Sequence, residues 1–255
     1  MSPAEISLSA FVCILGGLFL GMLFRVKLPE HKLEADSETV IRLGMALIAT
    51  MSALVLALLI NSAKTSFETQ NQRVIVIGAG FLQLDRVLAN YGPETHDARG
   101  SLRDLLSAVV EDVWSIGKNS DEKRKLNYRA TIAGVENFAA SIRQLQPRDD
   151  IQRSLFDQTM QLSAELGRNR TLLLAQNGET IPTAFLVVLI FWVTILFASF
   201  GISAPFNAIV MEFMLVCALS VAGAIYLVLQ MDRPFEGLIQ VSSAPLINVL
   251  TLMGK

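Results

Sequence analysis

The sequence predicts an all-α integral membrane protein. It has four transmembrane helices, and a helical soluble domain is inserted between spans two and three. Three observations predict it. The chain of 255 residues is 52% hydrophobic and only 17% charged, whereas a soluble domain of this size carries about 25% charged residues. Its uncharged runs reach membrane-spanning length. Its polar residues gather in one central segment.

Residues 6–24 carry no charge between Glu5 and Arg25, and residues 43–63 carry none between Arg42 and Lys64. Residues 180–211 are uncharged throughout, and 213–231 follow before Asp232. A hydrocarbon core about 30 Å thick needs roughly 20 helical residues. The spans are therefore expected at about 6–24, 43–63, 181–202 and 208–231, with Ser203-Ala204-Pro205 as the last turn. Read as buried helices of a soluble protein, four such runs would leave no polar shell to cover them. Residues 1–5 hold no Lys or Arg, and the first apolar run is longer than a usual signal core. The first span is expected to be retained.

Residues 64–180 hold equal numbers of basic and acidic residues and form the expected soluble domain. Leu102, Leu105, Leu106, Val109, Val110, Val113 and Trp114 recur at three- and four-residue steps, which predicts a helix over about 93–116. Ile132, Val135, Phe138, Ala139, Ile142 and Leu145 predict another over about 129–146, after a charged linker at 117–127. Pro147 ends it. Arg148-Asp149-Asp150 opens a third helix with acids at its N-terminus. Ile151, Leu155, Leu162 and Leu166 carry it toward Gln176, before an Asn177-Gly178 cap. Val74, Ile77, Phe81, Leu84 and Leu88 predict that the second span's helix continues past Lys64 to Asn90. In Tyr91-Gly92-Pro93-Glu94, Gly92 suits a helix C-cap and Pro93 the first turn of the next helix, a tight corner.

Composition excludes several functions. A net charge of −2 excludes nucleic-acid binding driven by bulk positive charge. The two cysteines, Cys13 and Cys217, fall inside predicted spans and read as free thiols, not a disulfide scaffold. His31 and His96 stand apart without Cys or His at ligand spacing, so no metal site and no cofactor is expected. The stretch from Arg73 to Gly80 resembles a strand entering a dinucleotide loop. Position 83, where a third glycine is needed, is Gln83, and no second strand follows. Gly78 and Gly80 instead mark a weak point in a long helix. The acid pairs Glu111-Asp112, Asp121-Glu122 and Asp149-Asp150 read as solvated surface. No enzyme signature is present, and no enzyme is expected.

The membrane segments are more informative. Gly17 and Gly21 form a Gly-x-x-x-Gly pair, which lets helices approach closely. Ala49, Ala53 and Ala57 form a small-residue stripe on span two, and Ala218/Ala222 and Ser220/Ala224 do the same on span four. Span three is bulky, with Phe185, Leu189, Phe191, Trp192 and Phe197. Spans one, two and four are expected to pack inside, with span three facing lipid. Four helices enclose no wide pore, so conduction would require several subunits around an axis. Candidate pore or packing residues are Ala49, Thr50, Ala53, Ala57, Asn61 and Ser62. Glu212 is the one acid within an apolar run after residue 180. It is a candidate intramembrane acid, with an interfacial position as the alternative.

Span four leaves through Leu227-Val228-Leu229-Gln230-Met231-Asp232-Arg233-Pro234-Phe235-Glu236-Gly237, followed by Val241-Ser242-Ser243-Ala244-Pro245-Leu246. With Tyr91-Gly92-Pro93-Glu94, Asp97-Ala98-Arg99, Ala49-Thr50 and Ser62-Ala63-Lys64, this resembles the bacterial bestrophin-like family, a domain of unknown function. Gln230-Met231 departs from the more acidic or aliphatic lead-in of that motif. The resemblance implies Tyr91, Gly92, Pro93, Asp232, Arg233, Pro234, Phe235 and Gly237 as motif residues. Its bestrophin-like label implies, by analogy of fold, a pentameric anion channel with span two lining the pore. Calcium gating is not implied, since no acidic calcium loop is present. Physically, Pro234 stops span four, Arg233 suits its C-terminal end, Asp232 requires a cationic partner, and Phe235 is expected to anchor at the membrane interface. The tail, residues 232–255, is expected to form an interfacial or docked helix from Ser243-Ala244-Pro245 onward.

Two functions compete. The first is a homo-oligomeric ion channel, chloride favoured. The alternative is a non-conducting scaffold or sensor whose helical domain binds a protein partner. Four spans put both termini and the soluble domain on one side. Lys64, Arg73, Arg168, Arg170 and Arg233 there stand against Arg25, Lys27, Lys32 and Arg42 opposite. The positive-inside bias leans toward a cytoplasmic domain in the bacterial cytoplasmic membrane.

Overall fold

A computed structural model describes residues 2–27, 35–114, 121–175, 181–203, 207–235 and 237–253. Among these residues the protein is all helical. Its helices are α1 (Pro3–Lys27), α2 (Ala35–Tyr91), α3 (His96–Trp114), α4 (Asp121–Arg143), α5 (Asp150–Ala175), α6 (Thr183–Ser203), α7 (Ala208–Met231) and α8 (Ala244–Leu252), with a short 3-10 turn at Pro93–Thr95. Helices α1, α2, α6 and α7 are each long and apolar enough to cross a membrane. Helices α3 to α5 lie between the second and third of these in sequence. The chain divides into two compact units. One is Met1–Ser66 with Glu179–Asp232, and the other is Phe67–Gly178 with Arg233–Lys255.

In the first unit α1 packs on α6 and α7. Ala10, Ile14, Leu18 and Met22 recur every four residues on α1 and are all buried. They join Leu186, Leu189, Val193 and Phe197 of α6, Ala218, Ile225, Val228 and Leu229 of α7, and Leu59 and Ala63 of α2. The Gly17/Gly21 pair sets the closest crossing. A Cβ on Gly17 would lie 2.6 Å from the Thr194 carbonyl oxygen, and one on Gly21 would overlap the Ala198 carbonyl. From the other side, a Cβ on Gly201 would overlap the Leu18 carbonyl. This corrects the expected arrangement. Span three does not simply face lipid; its small face, Thr194, Ala198 and Gly201, is the partner of span one. Phe185 and Phe191 lie on its other faces and are more than half exposed. The bulky residues hid a small-residue stripe because the two occupy different sides of one helix.

In the second unit Val74, Ile77, Phe81, Leu84 and Leu88 of α2 form a buried seam. It shares a core with Leu102, Leu106 and Val109 of α3, Phe138 and Ile142 of α4, and Leu166 of α5. Phe235, Val241, Leu246 and Val249 from the C-terminal segment complete it. Residues 73–80 are helical, as are the two glycines, and Gly78 has a packing role. A Cβ there would lie 3.1 Å from Leu246 Cδ2, so glycine lets α8 seat on α2. The linker expected over 117–127 is shorter than read, because α4 begins at Asp121. Asp121 and Glu122 suit a helix N-terminus, and Lys123, Arg124 and Lys125 are good helix formers, so high charge there does not mean a loop. The Asn177-Gly178 cap and the Ala204-Pro205 part of the last turn lie outside the described residues.

Candidate functional site

Three groups of residues singled out by sequence belong to different places: the α2 face in the first unit, the corner after α2, and the segment after α7.

On α2, one side points into the first unit. Ser52, Leu59 and Ala63 are buried there. Ala49, Thr50, Ala53, Ala57 and Asn61 lie on exposed faces, and Ser62 is half-buried. At four-residue spacing, residues 49, 53, 57 and 61 share one stripe. Only 11% of the most apolar stretch of α2 is buried, against 33% for α1 and α6. Span two is thus the least covered span of a single chain. Thr50 Oγ1 donates to the Ala46 carbonyl at 2.8 Å, and Ser52 Oγ donates to that of Ile48 at 2.8 Å. These hydroxyl protons are spent on the helix itself, on the exposed side at Thr50 and the buried side at Ser52. Glu212 sits in the second turn of α7 and is exposed. Cys13 and Cys217 are free thiols.

At the corner, Gly92 adopts φ +136°, a conformation that L side chains rarely take. Thr95 Oγ1 donates to the carbonyls of Leu88 (2.6 Å) and Gly92 (2.8 Å), closing the end of α2. Gln152 Nε2 donates to the Tyr91 carbonyl at 3.2 Å. The Gln152 backbone N–H in turn donates to Asp149 Oδ1 at 2.7 Å, a helix N-cap that starts α5. Arg148 pairs with Glu94 at 3.1 Å. Behind the corner, the Arg99 guanidinium grips Asp85 with two hydrogen bonds, 2.8 and 3.0 Å. That bond to Asp85 raises the Arg99 pKa further. Tyr91 is buried, and among the described residues its hydroxyl makes no hydrogen bond. Burial pushes its phenol above the ordinary value, with Glu94 adding to the shift.

After α7, Asp232 is buried and its N–H closes on the Val228 carbonyl at 3.1 Å. Phe235 does not anchor at a membrane interface. It is 4% exposed in the core of the second unit, edge-on to Trp114 with ring centres 5.6 Å apart. Trp114 Nε1 donates to the Val241 carbonyl at 2.8 Å, and the Val241 N–H donates to that of Pro234 at 2.7 Å. Gly237, at φ +86°, turns the chain back between these bonds. Sequence reasoning assigned Phe235 to the surface because it follows a span. The signal that finds its true place is Trp114, a half-buried indole whose N–H needs an acceptor. The Asp85–Arg99 pair was also missed, since its partners belong to different helices.

The fold and these motifs define a helical membrane protein with four candidate spans and a second helical unit closed by its C-terminal segment. The family model of the Bestrophin-like domain matches residues 12–246. The chain belongs to that bestrophin-like family. No curated protein and no solved structure matches it.

Proposed function

We propose that the protein is a homo-oligomeric ion channel of the bacterial cytoplasmic membrane, selective for anions, in which span two lines a pore shared by several subunits. The uncovered α2 face carries this reading. Its small residues and Thr50 and Asn61 are exposed in the single chain, and residues 43–63 contain no charge. An uncharged stripe lacks the acidic rings that select cations. Orientation follows the same proposal: both termini and residues 64–180 on the cytoplasmic side. The test is flux from liposomes holding purified protein, under chloride and potassium gradients in turn, with empty liposomes as control. Chloride flux that falls when Ala53→Phe narrows the stripe supports the reading. Potassium flux instead overturns the anion selectivity, and absence of both overturns the channel.

One observation favours a second reading, a scaffold or sensor. Tyr128, Ile132 and Val135 share a face of α4 and are 38–51% exposed. An apolar face of that kind suits a protein partner. Capture of one defined partner, lost on Ile132→Glu, together with no ion flux, would select it.

A further inference from the structure

Hydroxyls within the spans spend their protons on their own helix. Thr50 donates to the Ala46 carbonyl, Ser52 to that of Ile48, Thr194 to that of Ile190 and Ser220 to that of Val216, at 2.7 or 2.8 Å. A hydroxyl bonded in this way tolerates hydrocarbon. Asn61 differs. A carboxamide carries two N–H donors and a carbonyl acceptor, and among the described residues the Asn61 side chain has no hydrogen-bond partner. It lies in the last turn of the uncharged run 43–63. Round the helix it stands opposite Leu59 and Ala63, which are buried in the core of the first unit. It is exposed on the same face as Leu54 and Leu58, themselves 57% and 68% exposed. Ser62 is half-buried and turned about 100° away, so it does not share that direction. An unpaired carboxamide facing hydrocarbon is costly. Asn61 therefore needs water, an ion or another copy of the chain against it. The nearest charged residue in sequence is Lys64, and the nearest acid, Glu68, lies beyond it. Thr50, with its proton spent, has no donor left for an anion, whereas Asn61 has two.

We infer that the Asn61 carboxamides of neighbouring copies donate N–H bonds to the permeating anion and set selectivity at the Lys64 end of span two. The inference rests on the channel reading above and adds the residue that discriminates between ions. Neutral donors replace part of an anion's hydration shell without holding it as a fixed cation would, which suits passage. The test is the reversal potential of the full chain in planar bilayers under a potassium chloride gradient, which gives the chloride-to-potassium permeability ratio. Each variant is first matched to wild type in detergent elution and melting temperature. Asn61→Ala should lower the ratio about tenfold or more, the worth of one hydrogen bond to a charged group. Asn61→Gln keeps the amide and should keep a chloride preference. Asn61→Asp should turn the preference toward potassium. Ser220→Ala, on span four, should leave the ratio unchanged. If Asn61→Ala carries no current, the Gln and Asp variants decide: opposite preferences support the inference, and equal ratios overturn it. A wild-type chloride preference unchanged in Asn61→Ala overturns the inference and leaves the channel standing. A wild type that prefers potassium overturns the inference together with anion selectivity, and one without current overturns the channel itself.

Discussion

Removing either partner of the Asp85–Arg99 pair should destabilise the second unit, and the two losses should be unequal. Asp85 has a side chain 6% exposed, whereas that of Arg99 is 29% exposed. Arg99→Ala therefore strands a buried carboxylate, a defect that costs roughly 3–5 kcal/mol in a fully buried pair. Asp85→Ala strands a guanidinium that already reaches water, so solvent screening reduces its cost to about 1–2 kcal/mol. Scaling the first figure for the same partial exposure gives about 3 kcal/mol for Arg99→Ala. The chain has two tryptophans, and Trp192 lies on α6 in the first unit. A Trp192→Phe background leaves Trp114 to report the second unit alone during urea unfolding in a fixed detergent. The expected order of midpoints is wild type, then Asp85→Ala, then Arg99→Ala. The double variant should be less damaged than the sum of the singles, with a coupling of about 1–2 kcal/mol. Equal losses, or a coupling under about 0.5 kcal/mol, would refute the reasoning that burial of Asp85 governs the pair.

Other expectations follow from the same packing. Gly21→Leu places a side chain against the Ala198 backbone, so α1 and α6 must separate; overpacking of this kind costs about 1–3 kcal/mol or more, readable as a lower melting temperature in detergent. Gly16, whose Cβ would meet nothing within 4 Å, is the matched control and should tolerate Ala. Phe235→Ala empties a buried site beside Trp114 and should cost about 3–5 kcal/mol, with Trp114 emission shifting to the red. Tyr91→Phe should change stability at pH 7 by less than about 0.5 kcal/mol, since no hydrogen bond among the described residues is lost. A raised folded-state phenol contributes stability that is fully present below the unfolded-state value, near pH 10, and is lost as pH rises through the folded value. The variant should therefore unfold less steeply than wild type above about pH 10. An unchanged alkaline limb would count against burial of that phenol.

The family motif shows where legibility ended. Asp232-Arg233-Pro234-Phe235 was readable as a helix stop, and α7 does end at Met231. Its destination was not readable. Whether Phe235 meets lipid or Trp114 depends on a contact between residues far apart in the chain. The turn at Tyr91-Gly92-Pro93-Glu94 was legible, because a positive φ and a proline-started turn are local demands, whereas its contacts to Arg148 and Gln152 were not.

By itself the sequence determined the class of this protein. Uncharged runs of about 20 residues must be helical in lipid, where every backbone group needs an internal partner. The three- and four-residue periodicity of the central segment required helices there too. Those are demands each segment makes alone. Tertiary structure decided which faces meet. Span three turned its Thr194, Ala198 and Gly201 side to span one, Gly78 received Leu246, and Asp85 found Arg99. Each is a choice among several faces of a helix, made by close packing between segments distant in sequence. Local pattern names the candidate faces, and only shape complementarity selects among them.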